Sequence, residues 1–333
     1  MADKIRWGIL GCGNIARKFA ADLRLVEEAE LVAVASRSLE KARSFASDFG
    51  ASQAHGSYEE LAQNKSVDVI YIATPHSHHR DNTLLCLNNN KAVLCEKAFA
   101  VNSEQAREMI DLAKSKKLFL MEALWTKFLP GYKRLLEFLD EGKLGEINAV
   151  LINFGFRPQE PVSKRLYDPA LAGGTLLDIG IYNVFMAMTI LGEPDQIEAS
   201  MQPASTGVDQ QCAILFKYTN GAMANLYSSF LSNMATEADI CGSKGRLRLT
   251  HRFYAPESTL EFYPDKPDSK QVIDVTNIRE GHGYQYEASH VCECLKQGLT
   301  ESPVMSFSDT LLQMKILDRI RKLAGIRYDA DTR

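Results

Sequence analysis

Ile5-Arg6-Trp7-Gly8-Ile9-Leu10-Gly11-Cys12-Gly13-Asn14-Ile15-Ala16 is the stretch whose reading decides the fold. An apolar run enters G-x-G-x-x-A, and Ile15, Phe19 and Leu23 then recur at the spacing of one helix face. Strand, tight turn and helix in this order cradle a dinucleotide pyrophosphate. Gly11 permits the turn, Gly13 lets the backbone come close to the phosphates, and the small Ala16 brings helix and strand together. The helix amino end, at Asn14 and Ile15, supplies N–H donors and positive potential.

Leu31-Val32-Ala33-Val34-Ala35 reads as a second buried strand, ending in Ser36-Arg37-Ser38 with Lys41 one turn further on. A site that prefers NAD usually has a carboxylate at this strand end, bound to the ribose 2′-hydroxyl. A hydroxyl and a guanidinium stand here instead. Arg37 can hold a 2′-phosphate bidentately and Lys41 adds a point charge, so NADP is the expected cofactor, with NAD as the second choice.

At 333 residues the chain is expected to form two domains. Apolar residues at 45% and charged residues at 24% are those of a soluble globular chain. The 38 basic and 42 acidic residues, net −4, argue against a nucleic-acid or anionic-membrane surface. No apolar run reads as reaching the ~20 residues of a bilayer span. The first strand begins too early to leave room for a signal peptide. The seven cysteines are odd in number and scattered, so a reduced, cytoplasmic protein is expected. Cys12, Cys86 and Cys95 read as small buried apolar residues. No metal site is expected, because His76, His78 and His79 cluster without an acid or thiol at suitable spacing.

Strand candidates at 5–10, 31–36, 67–73, 92–95 and 118–121 alternate with helices near 15–25, 39–49, 78–90 and 103–116, the last capped by Asn102 or Ser103. That alternation predicts an α/β, Rossmann-type doubly wound parallel sheet over residues 1–122. From 123 to 333 the grammar changes: helices near 130–140 and 171–190 precede extended segments. Thr219-Asn220-Gly221 joins 209–218 to 222–230, and a second hairpin turns at 242–245. Helices near 284–297 and 307–323 close the chain. The second domain is therefore predicted as α+β with an open, mainly antiparallel sheet, its last helix able to pack back on the first domain.

Ligands of a parallel sheet lie across the carboxyl ends of its strands. Past those ends come Thr74 and Pro75 with His76 to His79, then Glu96-Lys97, then Glu122 to Trp125. Glu96-Lys97 reads either as a surface ion pair or as catalytic machinery. Asp178 and Tyr182, four apart behind Gly173-Gly174, share a helix face. They read either as a site that the glycines let a ligand approach, or as a helix-start Asp beside a half-buried Tyr. Trp125, Phe154, Phe156 and Tyr167 suggest an aromatic-walled pocket, with Arg157 and Arg165 in the same region.

Together, G-x-G-x-x-A at 11–16, Ala73-Thr74-Pro75 with His79, Cys95-Glu96-Lys97 and Asp178-Ile179-Gly180-Ile181-Tyr182 resemble the Gfo/Idh/MocA oxidoreductases. The resemblance runs over essentially the whole chain. It is strongest to the dimeric dihydrodiol dehydrogenase branch, which also oxidises D-xylose with NADP. That branch shares the segments 56–62 and 121–126 and the late Tyr286-Glu287-Ala288. Ala98 departs from the family's usual Pro after Glu-Lys.

The resemblance implies Lys97, Tyr182 and Asp178 as catalytic residues, with Asp178 orienting substrate hydroxyls. It implies Gly11, Gly13, Asn14, Ile15, Ser36, Arg37, Lys41, Thr74, Pro75, His79, Glu96 and Lys97 at the cofactor, and Trp125 and Phe154 in the substrate pocket. Hydride transfer between NADP(H) and a sugar, polyol or cyclic trans-diol is then expected, in a homodimer formed through the second domain's sheet. A reductase of keto- or anhydro-sugars and a non-catalytic NADP-binding sensor are the alternatives.

Overall fold

The strand runs read between residues 5 and 123 form one parallel sheet. Its strands are β1 (Ile5–Leu10), β2 (Ala29–Ala35), β3 (Gln53–His55), β4 (Val69–Ile72), β5 (Ala92–Glu96) and β6 (Leu120–Ala123), in the order β3-β2-β1-β4-β5-β6. That order is the dinucleotide-binding arrangement, with its topological reversal beside β1. Trp7, Ile9 and Leu10 of β1 and every residue of β4 have no exposed surface. Helices cover both faces of such a sheet, which is why its strands read as unbroken apolar runs.

The structure is a computed structural model and describes residues 4–160, 162–265, 270–275 and 280–332. Around the first sheet run α1 (Asn14–Leu23), α2 (Leu39–Phe49), α3 (Tyr58–Gln63), α4 (His79–Asn88) and α5 (Ser103–Lys116). Ser38, Ser57 and Asn102 cap α2, α3 and α5 by accepting the N–H groups of Lys41, Glu60 and Gln105. Neither β3 nor α3 was expected from the sequence, because three and six residues are too few to show a period.

Residues 1–128 with 279–314 make one compact unit, and residues 129–278 with 315–333 make another. The second unit contains α6 (Pro130–Asp140), β7 (Ile147–Gly155), α7 (Val162–Leu166), α8 (Ile181–Leu191) and β8 (Gln196–Pro203). The strands β9 (Asp209–Lys217), β10 (Met223–Ser229), β11 (Ala238–Gly242), β12 (Gly245–Leu249), β13 (Leu260–Pro264) and β14 (Gln271–Ile273) complete its eight-stranded sheet. The order is β14-β13-β12-β11-β7-β10-β9-β8, antiparallel except where β7 and β10 run parallel. Both hairpins read from the sequence are present, as β9–β10 and β11–β12.

The centrally placed β7 was not expected as a strand. Val150, Ile152 and Phe154 turn inward, but the outward Leu151 is also apolar, which hides the alternation. The run Pro169–Leu191 is long and apolar enough to cross a bilayer by length and composition. It exceeds the run length expected from the sequence. In this unit α8 packs its apolar surface against β7 and β10, as a core helix does.

The helices α9 (Tyr284–Lys296) and α10 (Phe307–Ala324) follow. A boundary at 122/123 would put α9 in the second domain, whereas residues 279–314 belong to the first unit. The tie is Asp22 on α1, whose buried carboxylate accepts the His282 N–H at 2.9 and 2.8 Å and the Tyr284 N–H at 2.8 Å. A charged acceptor satisfies the amide donors at the start of α9 and binds that helix to α1. Asp22→Ala strips these two N–H groups of their acceptor and is expected to cost about 2–4 kcal/mol of stability. Asp22→Asn, with one acceptor oxygen left, should cost about half as much by urea unfolding.

Candidate active site

The turn between β1 and α1 is built for close approach. Gly11 sits at φ +99°, and a Cβ there would lie 3.0 Å from the Ala73 carbonyl oxygen and 3.2 Å from Thr74 Cγ2. Only glycine fits. Gly13 precedes α1, and a Cβ on it would meet no protein atom within 4 Å. No side chain caps α1 and no acid stands in its first turn. Asn14 is exposed and Ile15 half-buried, so the helix amino end is open to a phosphate.

At the end of β2, Ser36 is buried and its hydroxyl accepts the Ser38 N–H at 3.4 Å. Arg37 and Lys41 are exposed. Burial pushes the Cys12 thiol up to about 11, against the opposing pull of Lys41 and Arg17. Burial likewise raises the Tyr58 phenol, against the pull of Arg37. Arg17, Arg37 and Lys41 are thus all felt near the end of β2, Arg17 being paired with Asp48 at 2.7 Å.

At the ends of β4 and β5, one histidine braces two loops. His79 opens α4 and has no exposed surface. Its Nδ1 lies 2.8 Å from the Ala98 carbonyl oxygen and its Nε2 lies 2.8 Å from that of Thr74. Burial pushes it down to about 4, and the two carbonyls, which favour the charged ring, oppose that fall. What His79 offers a ligand is the backbone it positions. The Thr74 hydroxyl accepts the Asn82 amide at 3.1 Å, and Pro75 precedes a single turn at His76–His78 in which His76 is buried.

Glu96 is turned into the core. It accepts from the Tyr71 hydroxyl on one oxygen and from the Lys97 N–H, at 3.2 Å, on the other. Lys97 is half-buried and the Lys97–Ala98 peptide is cis. Ala98, where the resembled family usually has Pro, is fully buried with its carbonyl on His79, so packing holds this turn. At the end of β6, Glu122 is buried and accepts the Phe99 N–H at 3.2 Å. Burial pushes its carboxyl up to about 7. Trp125 stacks on Tyr284, with ring centroids 4.6 Å apart and planes 14° apart.

In the second unit, Asp178 lies in a π-helical turn, Leu176–Gly180, and Tyr182 follows at the start of α8. Such turns widen the helix and re-aim side chains, and they recur at functional sites. Asp178 is half-buried and accepts from Arg165 at 2.9 Å. Tyr182 is buried, with its ring centroid 4.7 Å from that of Tyr254 and 6.1 Å from that of Phe154. Phe154 and Tyr254 stack at 4.5 Å and 17°. Tyr254 was not singled out from the sequence; it stands in irregular chain past β12, where no period marks it. Phe156 and Tyr167 meet in a neighbouring cluster, each with its ring edge-on to Phe230.

Gly173 and Gly174 serve a different purpose from the one expected. A Cβ on Gly173 would overlap the Leu166 carbonyl, and one on Gly174, at φ +116°, would overlap the Asp209 carboxylate. Their close approach is to the protein's own atoms.

A family model described as "Oxidoreductase family, NAD-binding Rossmann fold" matches residues 5–124, and one for the GFO/IDH/MocA C-terminal domain matches residues 132–248. The chain is 38% identical over 340 residues to a trans-1,2-dihydrobenzene-1,2-diol dehydrogenase from Sus scrofa, covering 98% of this chain and 99% of that one. A protein of that name from Homo sapiens is 38% identical over 338 residues, covering 99% of each. Among solved structures, a 3-ketoreductase from Actinomadura kijaniata in complex with NADP and TDP-benzene superposes with TM-score 0.86 at 26% identity, covering 97% of this chain and 98% of that one. An aldose-aldose oxidoreductase from Caulobacter crescentus, at 24% identity over 97% and 98% of the two chains, matches in fold with TM-score 0.87.

Glu122 makes a testable pH dependence. Its folded value near 7 stands above the ordinary 4.5, so the fold binds its proton more tightly than the unfolded chain does. Its contribution is fully present below pH 4.5 and is lost as pH rises through about 7, by no more than about 3 kcal/mol in all. Glu122→Gln is expected to flatten the fall in Tm across that window, read by calorimetry at closely spaced pH.

Proposed function

The chain belongs to the Gfo/Idh/MocA family of NAD(P)-binding oxidoreductases, and within it we propose that this protein transfers a hydride between NADP(H) and a hydroxyl or carbonyl carbon of a sugar, polyol or cyclic trans-diol. The observation that carries the substrate half of this reading is the succession of Asp178 in the π turn and Tyr182 at the start of α8, the latter beside the rings of Phe154 and Tyr254. Such faces suit the apolar side of a sugar ring or the plane of a cyclic diol. Relatives that carry the name dihydrodiol dehydrogenase support the same class.

When bound, the nicotinamide supplies a hydride acceptor or donor at its C4 carbon. Removing hydride from a carbinol carbon requires the hydroxyl proton to leave as well, so a base is needed within hydrogen-bond reach. Tyr182 is proposed as that acid/base. A phenol at its ordinary pKa near 10 is a poor base at neutral pH, and the Lys97 ammonium is proposed as the cation that lowers it. Asp178 orients a second substrate hydroxyl, exchanging part of its Arg165 pairing for that contact. Arg37 and Lys41 take the 2′-phosphate, while Gly13 and the start of α1 take the pyrophosphate. A homodimer through the eight-stranded sheet belongs to the same proposal, supported by the exposed Leu151 and Met223 on β7 and β10.

The test is nicotinamide absorbance with NADP and then NAD, against a trans-dihydrodiol, D-xylose, D-glucose and myo-inositol. Tyr182→Phe is expected to lower kcat by roughly 10²–10⁴ with NADP affinity unchanged. Arg37→Ala should weaken NADP binding by about 10- to 100-fold and leave NAD binding untouched. Tight NADP binding without turnover of any of these, or of keto-sugars with NADPH, would transfer the reading to an NADP-binding sensor.

A further inference from the structure

Asp209 opens β9 and has no exposed surface. Its Oδ2 accepts the Leu176 N–H at 2.7 Å and the Thr175 hydroxyl at 2.8 Å. Thr175 Oγ1 in turn accepts from the Ser228 hydroxyl on β10 at 3.1 Å. Oδ1 is buried with no hydrogen-bond partner among the described residues, and any side chain at Gly174 would overlap it. One carboxyl therefore sits against three consecutive residues, 174–176, at the point where the π turn Leu176–Gly180 begins. Asp178 lies inside that turn and Tyr182 follows directly behind it. Successive residues of a helix share one rigid frame, so a shift at Leu176 moves both side chains together.

We propose that Asp209 is a positioning residue for the reaction: by fixing the first amide of the π turn to β9, it sets where Asp178 and Tyr182 are presented to substrate. The inference rests on the reading of those two residues given above. The sequence did not single Asp209 out, since as a residue it is only the first of a strand. Its significance comes from the segment 174–176, brought to it by the fold.

The surroundings make its ionisation matter. Burial pushes the carboxyl up to about 6, and the hydrogen bonds from Thr175 and Leu176 oppose that rise. The other titratable groups that face it are the buried Cys212 thiol on β9 and the buried Tyr328 hydroxyl, which also has no hydrogen-bond partner among the described residues. Behind Tyr328 stands Arg321, 5.1 Å from the ring centroid and paired with Asp318 and Asp331. The ionised carboxyl is the stronger acceptor for Leu176 and Thr175. As pH falls through about 6 those bonds weaken and the turn loosens.

Asp209→Ala and Asp209→Asn in the full chain, with Tyr182→Phe beside them, test this. The readouts are kcat and KM from about pH 5 to pH 8, NADP affinity, Tm, and amide hydrogen exchange over residues 176–182. Asp209→Ala is expected to lower kcat by about 10- to 100-fold, with NADP affinity held and exchange across 176–182 accelerated. Asp209→Asn keeps an acceptor oxygen, so kcat should stay within about threefold of wild type while the acid limb near pH 6 disappears. A lowered Tm with wild-type kcat, KM and pH profile in Asp209→Ala would overturn the proposal, as would unchanged exchange over 176–182. Full activity in Tyr182→Phe would instead overturn the reading of the site, whatever the exchange shows.

Discussion

A carboxyl taken out of water must be met by donors, and four buried acids in this chain meet part of that demand on backbone amides far along the chain or at strand ends. Asp22 takes the amides that start α9. Glu96 takes that of Lys97, Glu122 that of Phe99, and Asp209 that of Leu176. Each acid is buried, and each holds a backbone amide at or near the end of a helix or strand. A backbone pinned by a buried charge cannot drift without leaving that charge unpaired, which costs several kcal/mol. The loops at the sheet's carboxyl edge are therefore part of the rigid frame.

Two consequences follow for the electrostatics of the first unit. Glu287 on α9 is fully buried with neither oxygen hydrogen-bonded among the described residues, and burial followed by Glu96 and Asp22 holds its carboxyl well above the usual range. Glu96, by contrast, accepts from the Tyr71 hydroxyl and the Lys97 N–H. Burial also lowers the His79 ring, against the carbonyls of Thr74 and Ala98. Near Cys12 and Tyr58 stand the cations Arg17, Arg37 and Lys41, of which Arg17 is paired with Asp48.

How much of this was legible in the sequence depends on how local each signal is. The G-x-G-x-x-A turn and the neighbourhood of the strand ends near Thr74, Glu96 and Glu122 showed directly, because their signals span only a few residues, though Glu96 and Glu122 close within β5 and β6 and not past them. The turn 219–221 between β9 and β10 was read for the same reason. Of the caps offered, Asn102 or Ser103, it is Asn102 that serves. By contrast β7 was hidden by an apolar residue on its outer face, Leu151. The meaning of Gly173-Gly174 was misread, because what crowds them, Leu166, Asp168 and Asp209, is identified only by folding. Tyr254 lay in a stretch with no periodicity at all, and only its stacking on Phe154 singles it out.

The sequence by itself determined the parallel sheet with its nucleotide-facing turn, the cations at the end of β2, the mainly antiparallel second sheet and the family to which these motifs belong. Those features follow from hydrophobic period, turn chemistry and residue type, which are properties of neighbouring positions. Tertiary structure alone decided that α9 belongs with the first unit, that His79 lies between the carbonyls of Thr74 and Ala98, and that Asp209 accepts the Leu176 N–H that begins the π turn bearing Asp178. Each of those depends on a polar group finding its partner far along the chain once water is excluded. The demand for a partner is written in the residue type, but its identity exists only in the folded molecule.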